Sequence, residues 1–169
     1  MSKSDSAGPL ADDPGFIFDP SLAVSNPKIK LALAYWNAKC GGRFAPARTE
    51  VEPREAKAFL ANLQFFDILD GGRAIRTRLV GTEIVRVLKE NTTGQIFDDA
   101  SPRPVVRRTL RAIRWVMEHR KPLRTLALRT EVEGQDFLSH ETLFLPLSSD
   151  GETIDVMAVV GVFTPVGAP

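Results

Sequence analysis

Between Leu63 and Phe163 the alternation of apolar and polar positions changes period twice, dividing the chain into strands, then helices, then strands again. The runs LQFFDIL (63–69) and AIRTRLV (74–80) flank Asp70-Gly71-Gly72-Arg73, whose glycines can take the positive φ of a tight connection. A hairpin is predicted there. Gly81-Thr82 opens a short helix over 83–89, and residues 90–101, with Gly94 and two aspartates, read as turns and irregular helical pieces. Pro102 and Pro104 mark the start of a longer helix that runs to about His119, because proline suits the first helical turn. Three strands complete the pattern, 123–132, 137–145 and 153–163, separated by Glu133-Gly134-Gln135-Asp136 and Ser148-Ser149-Asp150-Gly151. Both separators have turn chemistry. In the last strand Ile154, Val156, Ala158, Val160 and Val162 alternate with Met157, Val159 and Phe163, so it is apolar on both faces. Such a strand belongs at the centre of a sheet covered on both sides.

The second cover has one clear candidate. Asn26 is a good N-cap, Pro27 fits the first turn, and Ile29, Leu33, Trp36 and Cys40 recur at helical spacing until Gly41-Gly42 stops them. This amphipathic helix covers the open face of the sheet either from its own chain or from a partner in a homodimer, which makes Ile29, Leu33 and Trp36 a candidate dimer surface. A short helix is predicted from Pro53 to about Leu60. Residues 1–25, rich in Ser, Asp, Pro and Gly, read as a flexible N-terminal tail. The chain thus divides into that tail, residues 26–60 (helix, loop and short helix), a sheet-and-helix domain over 61–164 and a C-terminal tail over 165–169.

Composition narrows the class. With 169 residues, 43% hydrophobic and 25% charged, the chain can bury one sizeable core. Its start, MSKSDSAGPLADDPG, lacks the charged and apolar stretches of a secretory signal, and its longest apolar run, 156–163, is far below the ~20 residues that span a bilayer. A soluble cytoplasmic protein without membrane contact is predicted. The single cysteine, Cys40, has no internal partner. Net charge is only +1, which argues against general nucleic-acid binding, yet residues 103–124 hold eight of the 22 basic residues and only one of the 21 acids. An acidic partner or the protein's own acidic face could meet that stretch.

Trp36 followed by Gly41-Gly42, then Pro46-Ala47-Arg48, Pro53, Arg78-Leu79-Val80-Gly81-Thr82, Thr93-Gly94 and Leu145-Pro146-Leu147-Ser148 occur in an order and spacing that resemble a small stand-alone bacterial PAS-like family, once catalogued only as a domain of unknown function. The resemblance covers residues 30–163. It implies an α+β fold, a PAS-like five-stranded antiparallel sheet with helices on one face and commonly a pocket between them, to which this chain adds the N-terminal amphipathic helix. It implies a sensory or regulatory role and leaves ligand and output open. The photoactive flavin branch of the family carries a cysteine in the helical middle, whereas Cys40 precedes it, so flavin-cysteine photochemistry is not expected. Haem-binding branches use a histidine within the long helix, whereas His119 stands at its end, where a helix dipole favours an exposed cation. No kinase, cyclase or helix-turn-helix segment is apparent, so output through a separate signalling partner is expected.

Catalysis finds little support. The chain has no G-x-S-x-G elbow, phosphate loop or dinucleotide fingerprint. Ser139-His140-Glu141 has the residue types of a nucleophilic relay, but neighbours on a strand point to opposite faces. Two histidines, one cysteine and scattered acids give no metal-ligand spacing.

Binding is better supported. His140, central in a strand, either hydrogen-bonds a ligand or is satisfied by cross-strand neighbours. Arg78 either faces inward towards a ligand carboxylate or phosphate or makes an internal ion pair, and Arg129 in the third strand is a further candidate. On the long helix Val106, Leu110, Ile113, Val116 and Met117 form an apolar arc opposite Arg107, Arg111 and Arg114, with Trp115 beside Arg108 and Arg111. Loops cover Trp115, with guanidinium groups stacked on it, or else Arg108, Arg111 and Trp115 form a surface for a protein partner or for nucleic acid. The sequence predicts a small-molecule sensor, with a ligand-free adaptor or dimerisation module as the alternative and nucleic-acid binding as a third.

Overall fold

The computed structural model describes residues 8–167, so the tail expected at 1–7 and at 168–169 lies outside the described residues. Strands β1 (Gly8–Leu10) and β2 (Asp13–Asp19) come first, followed by helix α1 (Pro27–Cys40). The hairpin β3 (Leu63–Leu69) and β4 (Ala74–Val80) has the bounds read from its alternation. Helix α2 (Thr82–Leu88), strand β5 (Ile96–Asp98) and helix α3 (Pro104–His119) form the middle, and β6 (Leu123–Ala127), β7 (Leu138–Leu147) and β8 (Val156–Pro165) the end.

Local chemistry sets the helix bounds. The Asn26 carboxamide accepts a hydrogen bond from the Lys28 amide (2.9 Å), Pro27 occupies the first turn, and Gly41 ends α1 at φ 55°, a left-handed value that glycine reaches without a Cβ penalty. In α3, Val106, Leu110, Ile113 and Val116 recur every three or four residues and are all buried, so this face is fixed against the sheet.

The strands form one antiparallel sheet in the order β1-β2-β6-β7-β8-β3-β4-β5. The five-stranded expectation is thereby corrected to eight. The five expected strands are the centre of this sheet, β5 lies on one edge and β2 and β1 on the other. Their short local patterns are weak, and they become strands because neighbours supply backbone partners: Phe16 to Asp19 pair with Arg124 to Ala127, and Ile75 pairs with Phe97. Residues 8–10 and 13–19, read as tail, are therefore part of the sheet, and α1 is the third element of the chain. The strand expected over 123–132 stops at Ala127, and the stretch after it is irregular. No helix forms over 53–60; Ala56 and Phe59 are buried one by one in successive turns that end in a 3-10 turn at Leu60–Asn62.

Strand β8 has the two-sided burial its sequence demands. Met157 and Val159 enter a core with Phe66, Leu110, Ile113 and Phe144 beneath α3, while Val156, Ala158 and Val160 enter a second core with Ile29, Trp36, Phe65 and Leu143 beneath α1. Covering both faces with one chain leaves the space between α3 and the sheet as the place where a site can lie. No helix among the described residues is long and apolar enough to cross a membrane.

Candidate functional site: a cavity between the sheet and helix α3

Register across the sheet builds the floor of the cavity in three rows. Leu123, Phe144, Val159 and Gln64 pair side by side across β6, β7, β8 and β3; the next row is Thr125, Thr142 and Gly161; the third is Ala127, His140 and Phe163. Side chains two residues apart on a strand share a face, so the three rows point the same way, towards α3. Val105, Val106 and Thr109 of α3 form the roof, Ile84 and Leu88 of α2 close one side together with Thr77 and Phe97, and Phe16 of β2 closes another. The cavity volume is about 100 Å³, and the cavity is partly open to solvent.

In the middle row Gly161 has no side chain, and the His140 ring takes the space a Cβ would need. The Gly161 carbonyl accepts a hydrogen bond from the Asn62 carboxamide (3.0 Å), fixing the strand just where the His140 ring lies over it. The imidazole is stacked on Phe163, with centroids 4.0 Å apart and planes 6° from parallel, and its Nε2 is 3.0 Å from Thr142 Oγ1. Burial, with a smaller contribution from the positive charge of Arg108, holds the His140 pKa down to about 4. The ring is neutral near pH 7. One of its nitrogens then donates and the other accepts.

The polar groups on the lining include the hydroxyl of Thr125, a residue only 1% exposed, and the carboxamide of Gln64 and the imidazole of His140, both of which are partly exposed. Thr77 and Thr92 Oγ1 atoms form a long pair at 3.4 Å. A largely apolar cavity with a few convergent polar groups has the makings of a small-molecule site.

The cations at the rim are, in contrast, paired. Arg108 donates to Asp13 from Nε (2.7 Å) and Nη2 (2.8 Å), to Glu131 (3.3 Å) and to the Arg129 carbonyl (3.1 Å). Those hydrogen bonds hold the Asp13 carboxyl below its usual range, outweighing its partial burial. Arg103 is 3.2 Å from Glu90 and its guanidinium lies over Phe97. The two aspartates at the β1–β2 turn thus fasten that hairpin onto α3, Asp13 through Arg108 and Asp12 through Arg111.

The candidate residues from the sequence separate on this geometry. His140 lines the cavity, with Arg108 at its edge. Arg78, considered as an inward group, sits on the opposite face of β4, where it and Arg76 share the carboxylate of Asp67 (2.8 and 3.1 Å). Arg129 is exposed and lends only its carbonyl. Ile29 and Trp36 are buried against their own sheet, the indole N–H donating to the Pro146 carbonyl at 2.9 Å, and Leu33 packs beside them, so α1 covers the sheet of its own chain. Arg108 and Arg111 face acids of the same chain, and Arg114 pairs with Asp99 (2.8 Å), so the basic stripe of α3 is largely neutralised. Trp115 is half-buried, meeting Phe18 edge-on at 6.5 Å and stacking on His119 at 4.0 Å. Gln64, Thr125 and Thr142 were missed by sequence reasoning. The available signal was a polar residue interrupting the apolar face of a central strand. Among the described residues no cluster of three or more His, Cys, Asp or Glu side chains could hold a metal ion.

An antiparallel sheet with helices packed over a partly polar cavity is the architecture of a PAS-like α+β domain, a class commonly sensory or regulatory. A family model described as PAS domain matches residues 24–163, and the chain belongs to that family. No curated protein and no solved structure matches it. Strands β1 and β2 precede the matched residues, so the hairpin that closes one side of the cavity lies outside the family match.

Proposed function

We propose that this PAS domain is a small-molecule sensor whose ligand occupies the cavity beneath α3 and whose bound state is read by a separate signalling partner. The observation that carries the reading is a largely apolar cavity of about 100 Å³ between the helices and the sheet, with Thr125, Gln64 and His140 as polar groups on its lining. A ligand that satisfies them binds the folded state alone, and therefore stabilises it by mass action. The roof is α3 and one wall is the β1–β2 hairpin, both on the surface, so occupancy alters what a partner meets.

The test is native mass spectrometry of the purified protein followed by a thermal-shift screen against a metabolite library. The expected result is a co-purified molecule or hits whose binding is weakened by filling the cavity with Thr125→Phe. Absence of any co-purified molecule and of any cavity-dependent hit overturns the sensor reading.

A further inference from the structure

The face of the sheet opposite the cavity carries an unbalanced group of cations. Phe65 pairs with Leu79 and Asp67 with Arg76, two residues apart along β3, and Arg78 is the extra residue where the register of the hairpin shifts between those pairs. One carboxylate serves two guanidiniums there: Asp67 accepts from Arg78 Nε (2.8 Å) and from Arg76 Nε (3.2 Å) and Nη2 (3.1 Å). A third guanidinium, that of Arg48, lies over the Phe65 ring, 4.0 Å from its centroid. Three cations thus stand against one acid.

Arg48 is the least satisfied of the three. Its Nη1 donates to the Val51 carbonyl (3.2 Å), but its Nε is the one buried side-chain nitrogen or oxygen without a hydrogen-bond partner among the described residues. Burial, with a smaller contribution from the positive charge of Arg78, holds its pKa below the usual arginine value, and no acid offsets them. The acid nearest in sequence is turned away, since the Glu50 carboxylate accepts from Arg43 (2.7 Å) and from the Ala47 amide (2.7 Å). The loop itself is anchored, because the Pro46 carbonyl accepts from the Ser148 amide at the end of β7 (2.9 Å). Arg48 is therefore held in position while its charge is left uncompensated. A half-buried cation beside another cation is a costly arrangement that an anion relieves.

Charge selects the anion. Three guanidiniums and one carboxylate leave two net positive charges; a phosphate near neutral pH carries nearly two negative ones, whereas a carboxylate carries one. A guanidinium fork also matches phosphate oxygens in shape. Access is open, as the side chains of Arg76 and Arg78 are 46% and 52% exposed. We propose that Arg48 and Arg78, with Arg76 adding its charge across Asp67, form a binding site for a phosphate dianion, free or carried as a monoester, on the outer face of the sheet. This site is separate from the cavity beneath α3 and does not depend on the sensor reading.

The test uses the full chain freed of phosphate and sulfate, with the arginine Nε–H resonances followed by NMR. Inorganic phosphate, a phosphoserine-containing tripeptide and acetate are titrated near neutral pH at constant ionic strength, so that general screening does not change. Phosphate is expected to shift the Arg48 and Arg78 resonances saturably, and to bind about 10-fold more tightly than acetate. Arg48→Gln and Arg78→Gln should each weaken phosphate binding about 10-fold, the worth of one charge-assisted hydrogen bond. Arg48→Lys, which keeps the charge and loses the fork, should weaken it less, and it serves as the second variant where Arg48→Gln does not fold. Thermal unfolding verifies the fold of each. Arg129→Gln, at an exposed arginine elsewhere, should leave binding unchanged. Tripeptide binding as tight as that of inorganic phosphate assigns the monoester to a phosphorylated partner, and binding of inorganic phosphate alone assigns a free anion; both uphold the site. Shifts that fail to saturate, that are equally large at Arg129, or that survive both glutamine substitutions overturn it. Acetate binding as tightly as phosphate overturns the dianion class.

Discussion

His140 and Gly161 occupy one space. A Cβ built on Gly161 would stand 2.5 Å from Nε2 of the imidazole across the β7–β8 ladder, closer than any real contact, although the glycine backbone itself is unstrained. The absent side chain makes room for the ring. Gly161→Ala should therefore destabilise the fold by about 1–3 kcal/mol, the usual range for overpacking. In a His140→Ala background the same substitution should cost much less, since the obstructing ring is gone. Urea unfolding of the four proteins in this cycle measures the coupling, and equal costs in both backgrounds would show that the two residues do not compete.

Acidification provides a second measurement on the same ring. Burial lowers the folded pKa of His140 to about 4 from 6.5, so the unfolded chain binds its proton first. Stability from this group is then fully present above pH 6.5 and declines as pH falls towards 4, by a total on the order of 3 kcal/mol. The carboxyls of Asp13, Asp19 and Glu141 are also lowered, from 3.8, 3.8 and 4.5, so their contributions disappear only at lower pH. Between pH 6.5 and 4.5 His140 dominates. His140→Leu should flatten stability across that window, and a slope that survives the substitution would assign it elsewhere.

Trp36 distinguishes a core residue from an interface residue. Its indole N–H reaches the Pro146 carbonyl at 2.9 Å in a buried contact, so Trp36→Phe leaves that carbonyl unpaired and should lower stability by about 1–2 kcal/mol. Sedimentation should be unchanged. A variant with wild-type stability and altered self-association would instead place Trp36 between chains.

The acidic turn of the first hairpin is a fastening. Asp13 meets Arg108 through two hydrogen bonds of 2.7 and 2.8 Å, and the arginine side chain is only 9% exposed. Asp13→Asn removes the charge from a mostly buried pair and should destabilise by roughly 1–3 kcal/mol. Hydrogen exchange should rise first in residues 13–19 and in their partners on β6, ahead of β7 and β8, if the hairpin is held chiefly from its turn. Uniform acceleration through the sheet would mean that the pair supports global stability instead.

Sequence alone determined the elements whose signals are local and strong. The hairpin bounds at Leu63–Leu69 and Ala74–Val80, the capped helix from Pro27 to Cys40, the long helix ending at His119 and the central place of the final strand all follow from turn glycines, caps and periodicity. Tertiary structure decided the remainder. Gly8–Leu10, Asp13–Asp19 and Ile96–Asp98 are strands because a neighbour offers a ladder, a fact invisible to any local pattern. Arg78 turned outward because β4 places it with Arg76 beside Asp67, and Arg108 and Arg111 lost their availability to two aspartates almost a hundred residues earlier in the chain. The site shows the same division. A polar Thr125 or Gln64 can be seen on an apolar strand face, but that both line one cavity together with His140 follows only from the register of four strands.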